Sequence, residues 1–545
     1  MSPISLRTPC QLLGLIVCLT GSGARWCQAA AAPTPPVQVM VSLSAPPVAM
    51  RPDLLGTNLS AFDWCGSLPP DNRPPAFWDE KTNAPDPSWN ALLDAYPQHL
   101  IRYNWGNKYP WEQDVGPVKD RKPIRHELSS AKWNPMYRPN PGLDDFLRWV
   151  QALPGHPQPT LIASPFRPVQ ELADLVAYCN ATSGPMARWR AANGHPAPYG
   201  IQYWELGNET DWRQGPKERA LPPQEVVRQK EAQNKLWVEE YIKLVQPRIA
   251  AMRAVDPTIR IYAQAVSTPY GSYNPYWRQW QIRIMQALGG QIDGFAVHTY
   301  IDGWPPVPIA EQSLDTLIAD IRAYGPKNHP LHLWISEYGR WYQFWKLPHS
   351  TAWDLQAAIS NADYLMAMMP RPQIIAANLW CLTSPGPWRT IDVDRKDPGQ
   401  PKCGTPLFYM LELLNRAMLP QVQALAVNEN DGLKHSPGYG YAIRAVLFSD
   451  PASGRRALVA INRSDDQPAE LNFYAHLPDR LQAQRLLVTG PSLQATNVPG
   501  QPLNVTMQEQ QIPIPPTPDG DGGGRFLLPA RSIAAWRWSQ LSPHP

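Results

Sequence analysis

The feature that most constrains the fold is a series of eight strand-like runs with helical periodicity between them. The runs are Leu54 to Leu59, Leu100 to Tyr103, Pro159 to Ser164, Ile201 to Leu206, Ile259 to Ala265, Gly294 to Tyr300, Leu331 to Ser336 and Ile374 to Trp380. Between Pro223 and Met252, Trp237, Tyr241, Leu244 and Val245 fall at i, i+4, i+7 and i+8, one face of a helix that Pro247 is expected to kink or interrupt. Leu143 to Leu153, Ser313 to Tyr324, Trp353 to Met369 and Thr405 to Met418 show the same spacing. Strands alternating with helices over this length predict an α/β fold, a (β/α)8 TIM barrel with long loops. A doubly wound open sheet would carry a glycine-rich phosphate turn, and the sequence has none.

From about residue 419 the pattern changes to short β-type runs, Tyr441 to Phe448, Ala457 to Asn462, Glu470 to Tyr474, Ala483 to Val488 and Ser532 to Trp538, separated by turn signals. These predict a C-terminal all-β sandwich. The expected organisation is a signal peptide at 1–32, a spacer and strand at 33–50 joining the sandwich through Val37 to Leu43, the catalytic barrel at 51–417 and the sandwich at 418–545. The 64 prolines, in a chain 43% hydrophobic, favour long ordered loops over disorder, with a mobile loop expected at Thr517 to Gly524.

Charge narrows the function classes. Net charge is +3, charged residues make up 17%, and no Lys/Arg stripe is present, which argues against nucleic acid as a partner. Arg7, the apolar run Leu12 to Thr20 and the small residues Ala29 to Ala32 read as a cleavable secretory signal, so export to the periplasm or beyond is expected. That run is too short to be a permanent anchor, and no later segment reads as a membrane span. Cleavage would leave Cys65, Cys179, Cys381 and Cys403; Cys381 with Cys403 is the one suggested disulfide, buried free thiols being the alternative. There is no C-x-x-C and no metal-ligand spacing. The 23 tryptophans suit core packing or the C–H faces of sugar rings.

Two glutamates stand out at the ends of apolar runs, Glu209 after the fourth strand and Glu337 after the seventh. The C-terminal ends of barrel strands line the active site, and strands four and seven face each other across the mouth. Two converging carboxylates are the equipment for cleaving a glycosidic bond, about 5–5.5 Å apart in a retaining enzyme. Mutual repulsion then keeps one protonated as the acid. Asn208 adjoins Glu209 and can bond a sugar hydroxyl. His298 and Tyr300, at i and i+2, share a face of the sixth strand. A Tyr300 donor would favour ionised Glu337, and Arg102 can add positive charge. Glu337 is therefore assigned as nucleophile and Glu209 as acid/base. Glu205 reads as a buried structural carboxylate. Trp380 and Cys381, on the eighth strand, are equally suited to the sugar pocket and to the core.

These residues resemble glycoside hydrolase family 51, the α-L-arabinofuranosidases of the retaining (β/α)8 clan. Arg102-Tyr103-Asn104-Trp105-Gly106-Asn107 is similar to the family's R-x-P-G-G-N, and Asp114-Val115-Gly116-Pro117 through Arg121-Lys122-Pro123 to its G-P-x-x-x-R-P. Leu143-Asp144-Asp145-Phe146-Leu147 resembles D-E-F-L, and Asn193-Gly194-His195-Pro196 leads into Tyr203-Trp204-Glu205-Leu206-Gly207-Asn208-Glu209 as N-G-H-P leads into Y-W-x-x-G-N-E. Ser336-Glu337-Tyr338-Gly339-Arg340-Trp341 resembles D-E-W-x-x-W. The resemblance implies acid/base Glu209, nucleophile Glu337, substrate contacts by Asn208 and Tyr300, an oligo- or polysaccharide substrate, no metal or organic cofactor, and leaves a homo-oligomer open. His298, Arg102, Asn107, Trp105 and Trp380 complete the expected substrate-binding set. Where the family carries a glutamate on strand one and a glutamine on strand eight, this sequence aligns Ser60 and Cys381. The sugar pocket is accordingly expected to be rebuilt.

Overall fold

Parallel strands buried on both faces form where apolar runs are flanked by crossover helices, and here eight of them close on themselves. In chain order the barrel strands are Gly56–Ser60, Leu100–Asn104, Gln158–Ala163, Tyr203–Leu206, Arg260–Gln264, Gly294–Ile301, His332–Arg340 and Ile374–Leu379. Each pairs with the next, and the eighth returns to the first through Asn378↔Gly56 and Leu379↔Thr57. The computed structural model describes residues 34–539 except 61–76, 105–110, 126–135, 138–139, 212–222, 268, 270–275, 303–304, 342–351, 385–386, 395–401, 429–440, 476 and 479. The N-terminal signal read at 1–32, Trp105, Asn107 and Cys65 lie outside these residues, as does the side chain of Ser60.

The barrel interior is built in layers by the period-two alternation of strand side chains. One layer is apolar: Leu100, Tyr203, Tyr262, Ala296, Trp334 and Ala376 form a closed cluster. Trp334 meets Tyr262 and Tyr203 edge-on, with centroids 5.5 and 5.9 Å away. Two residues further along the same strands, on the same inward face, stand Arg102, Glu205, Gln264, His298, Ser336 and Asn378, all buried. The apolar plug thus supports a polar floor.

The helix predicted to break at Pro247 runs unbroken from Pro223 to Val255. Proline removes one backbone donor near the C-terminal third of this helix. Packing compensates: Tyr241, Val245, Ile249 and Met252 on its inner face are buried in the main core.

Ten further strands form a largely antiparallel sheet region, the sandwich, around a second apolar cluster that includes Leu458, Leu471, Phe526 and Trp536. Its strands include Gln421–Asn428, Ile443–Asp450, Arg455–Asn462, Ala469–Phe473, Gln482–Thr489, Thr506–Pro513, Gly524–Leu528 and Ser532–Ser539. Val37–Leu43 lies between Gln421–Asn428, to which it is antiparallel, and Ala469–Phe473, to which it is parallel. The suggested Cys381–Cys403 disulfide does not form. Both are buried thiols outside any disulfide, and Cys381 Sγ donates to Thr383 O at 3.1 Å. Among the described residues, no helix is long and apolar enough to cross a membrane.

Candidate active site

The polar floor is organised around the Arg102 guanidinium, which is fully buried. Its Nε donates to Glu205 Oε2 at 2.6 Å, its Nη1 to Glu337 Oε1 at 2.8 Å and to Asn58 Oδ1 at 3.0 Å, and its Nη2 to Asn208 Oδ1 at 2.7 Å. One cation therefore holds side chains from the first, fourth and seventh strand regions. Asn58 is fixed in turn by donating to Ser336 O and Asn378 O. Glu205 accepts a further bond from Ser336 Oγ at 3.0 Å, and Gln264, with its amide turned to suit its neighbours, donates to Glu205 Oε1 and Gly207 O. Burial disfavours a charged Glu205, but Arg102 first, then His298, outweighs it and holds the carboxyl below its ordinary value.

Glu337 faces inward because the seventh strand bulges. Ala296 pairs with Trp334, but His298 pairs with Glu337, so the seventh strand spends one residue more than the sixth over this step. A bulge of this kind re-aims a side chain; here Ser336 and Glu337, though consecutive, both reach the floor. The strand continues to Arg340, so Glu337 lies within it rather than after it. Tyr300 Oη donates to Glu337 Oε2 at 2.9 Å. Both carboxylate oxygens thus accept a bond from a fixed donor.

Glu209 is held by a turn. The fourth strand ends at Leu206, and Gly207 takes φ +96° and Glu209 φ +49°. A Cβ on Gly207 would come within 2.5 Å of Thr210 Cγ2 and 3.3 Å of Pro165, so only glycine fits. Two residues on, Asp211 accepts from Ser267 N and Oγ at 3.1 and 2.8 Å, tying the turn to the end of the fifth strand. Burial raises the Asp211 carboxyl to about 7, against the Ser267 bonds and with the help of the Glu209 charge.

His298 stands between the two glutamates. Its Nδ1 is 3.1 Å from Glu209 Oε1 and 3.5 Å from Glu337 Oε2, and its Nε2 is 3.6 Å from Glu205 Oε1. Burial works against a charged imidazole, but the Glu337 charge first, then the neighbouring Glu205 and Glu209 carboxylates, raise it to about 10. Atoms of Glu209, His298 and Glu337 lie within 4.8 Å of one another, which geometrically suits a cation. Both Glu337 oxygens accept bonds there, from Arg102 Nη1 and Tyr300 Oη.

Of the residues singled out in the sequence, the structure gathers Arg102, Asn208, Glu209, His298, Tyr300 and Glu337 into one cluster. Trp380 follows the eighth strand and is partly buried. Asn58, Gln264, Asp211 and Ser267 were not anticipated. For the first two, the signal was their strand parity: Asn58 is paired with Arg102 across the first two strands, and Gln264 is two residues beyond the inward Tyr262. Trp341 and Trp388 pack around Tyr300, with centroids 5.5 and 5.8 Å away.

Residues 98–268 match the α-L-arabinofuranosidase 1 domain. An intracellular exo-α-(1→5)-L-arabinofuranosidase 1 of Bacillus subtilis is 27% identical over 271 residues, 46% of this chain and 48% of that one. A probable α-L-arabinofuranosidase C of Aspergillus flavus is 38% identical over 115 residues, 20% of this chain and 22% of that one. The chain spans about half the length, or less, of these curated relatives. Among solved structures, a family 51 α-L-arabinofuranosidase of Bifidobacterium longum superposes with a TM-score of 0.72 at 20% identity, covering 93% of this chain and 100% of that one. The GH51 arabinofuranosidase of Xanthomonas axonopodis pv. citri gives 0.73 at 17% identity over 92% and 100%. The chain is thus similar to the family 51 α-L-arabinofuranosidases, in sequence through the first half of the barrel and in fold over most of its length. The comparisons also correct one expectation. Relatives from Bacillus subtilis, Streptomyces lividans and Acetivibrio thermocellus are named as intracellular enzymes, which contradicts the export read from the N-terminus.

Proposed function

We propose that this protein is a retaining glycoside hydrolase that releases α-L-arabinofuranose from plant or microbial oligo- or polysaccharides. Glu337 attacks the anomeric carbon while Glu209 protonates the departing oxygen, and Glu209 then draws a proton from water to free the sugar. The observation that carries the assignment is the asymmetry between the two carboxylates. Glu337 accepts from Arg102 on one oxygen and Tyr300 on the other, which fixes its aim. Glu209 sits on a turn, with its side chain partly open to solvent, where an acid/base group meets both leaving group and water. Asn208, held by Arg102, adjoins Glu209 and is suited to a sugar hydroxyl.

A second reading keeps the mechanism and changes the sugar. Cys381, which occupies the place of the family's strand-eight glutamine, is buried and spends its thiol on backbone carbonyls. A lost polar contact to a substrate hydroxyl weakens discrimination for that sugar. A β-xyloside or β-glucoside is therefore the alternative substrate.

A panel of chromogenic glycosides separates the two readings. Turnover of the α-L-arabinofuranoside supports the first and turnover of another glycoside the second. The Glu337→Ala variant is expected to lose at least about 10³-fold in kcat and to regain turnover with azide, giving a glycosyl azide. Ordinary activity in that variant would remove Glu337 from the role of nucleophile.

A further inference from the structure

We propose that Arg463, in the sandwich, is a positioning residue for the barrel's active site, acting through Asp302 on Tyr300. The inference rests on the reading of Glu337 as the attacking carboxylate.

The sixth barrel strand is supported unevenly. The fifth strand pairs with it only along Gly294–Ala296, Ala265 N adding one bond to Ala296 O. The seventh strand pairs with it as far as Ile301. The arm from His298 to Ile301, which carries both His298 and Tyr300, therefore has a strand ladder on one side. A half-supported arm opens more readily than a strand held on both edges. Yet its tip must place a phenol oxygen against one carboxylate oxygen.

What holds the tip is a buried ionic junction. At Asp302 the chain leaves the strand with φ +47°, a conformation that a non-glycine residue adopts only when its surroundings hold it. The Asp302 carboxylate accepts from Arg463 Nη1 at 2.7 Å and from Ser360 Oγ at 2.5 Å. Arg463 begins the turn after the sandwich strand Arg455–Asn462. Its Nη1 also donates to Ser360 Oγ at 2.8 Å, its Nη2 to Asp363 Oδ2 at 2.6 Å, and its Nε to Tyr441 O at 3.1 Å. Asp302 and Asp363 are fully buried, and the Arg463 side chain is 4% exposed. Arg444, from the neighbouring sandwich strand, joins Asp363 to Glu311. The two units are thus bolted together two residues beyond Tyr300. A shift of the bolt moves the arm, and the arm aims the nucleophile.

A double-mutant cycle tests this. Asp302→Asn is expected to lower kcat about 10-fold while changing KM less than about 2-fold, and in a Tyr300→Phe background the same change should cost less than about 2-fold, because the route through the tyrosine is already gone. Equal losses in both backgrounds would overturn the proposal, as would an unchanged kcat. Should Asp302→Asn fail to fold, Ser360→Ala, which keeps every charge, goes through the same cycle with the same criteria. Hydrogen exchange gives a reading independent of turnover. The peptide spanning 297–302 should exchange at least about 5-fold faster in the variant, and unchanged exchange there would refute the clamp. If the unmodified protein turned over no glycoside, the proposed function would fail while the exchange measurement still decided the clamp.

Discussion

Arg102 shows how far a single residue can organise a site. Its guanidinium offers donors in a fixed fork, and they reach three different strand regions. A lysine would provide one point charge and lose the fork. His298 is the complementary case, a side chain whose charge is imposed by its neighbours. Its proton affinity in the fold, near 10, exceeds the ordinary value of 6.5. The stabilisation from that difference is therefore fully present below about pH 6.5 and is lost as pH rises through 10. Melting temperature should accordingly fall across this alkaline window, and His298→Gln should flatten the fall; parallel curves for the two proteins would show that the imidazole is not the titrating group. Glu209 and Glu337 were legible in the sequence because each closes an apolar run. The Asp211–Ser267 tie was not, since it joins residues 56 positions apart across a loop that no local pattern describes.

At the scale of the element, strand alternation explains both what could be read and what could not. Leu100 and Arg102, Tyr203 and Glu205, Tyr262 and Gln264, and Ala296 and His298 are each an apolar plug residue followed by a floor residue. Four strands thus announce the same two-layer design. Glu337 breaks the rule, because the bulge at Ser336–Glu337 shifts parity by one, and a bulge leaves no mark in hydrophobic periodicity. In the sandwich, Thr506–Pro513 went unseen because its sequence is polar on both faces and mostly exposed. The turn after the fourth strand is sensitive to change. Gly207→Ala adds a methyl where φ is +96° and Thr210 Cγ2 is 2.5 Å away. It should cost about 1–3 kcal/mol in denaturant unfolding and lower kcat more than it raises KM, because Glu209 rides on this turn. A variant as active and as stable as the parent would mean that the turn relaxes freely.

The whole molecule behaves as more than a barrel with an appendage. One continuous apolar cluster takes Leu365, Met368, Leu411 and Leu414 from barrel helices together with Phe448, Val459, Leu486 and Ile533 from the sandwich. Added to the Arg463 junction, this shared core predicts one cooperative transition in calorimetry, with equal van't Hoff and calorimetric enthalpies. It also predicts that residues 51–417 expressed alone would expose that apolar face and aggregate. Two resolved transitions would show that the units are independent. The motifs far from the glutamates belong to this scale as well. Arg121 bonds Asp145 at 2.7 Å, and Asp144 takes the hydroxyls of Tyr178 and Tyr199, so the segments that resemble the family's G-P-x-x-x-R-P and D-E-F-L clasp each other and brace the barrel wall.

The placement of Val37–Leu43 has one more outcome. This ribbon is an inner member of the C-terminal sheet, with Val41 opposite Val427 and beside Phe473. During synthesis it must wait, unpaired, until almost four hundred further residues have emerged, and closing so long a loop makes its docking a late step. The newborn chain therefore carries an unpaired β-ribbon near its start while the rest is being made, and any delay there invites pairing with a neighbouring molecule instead of with itself.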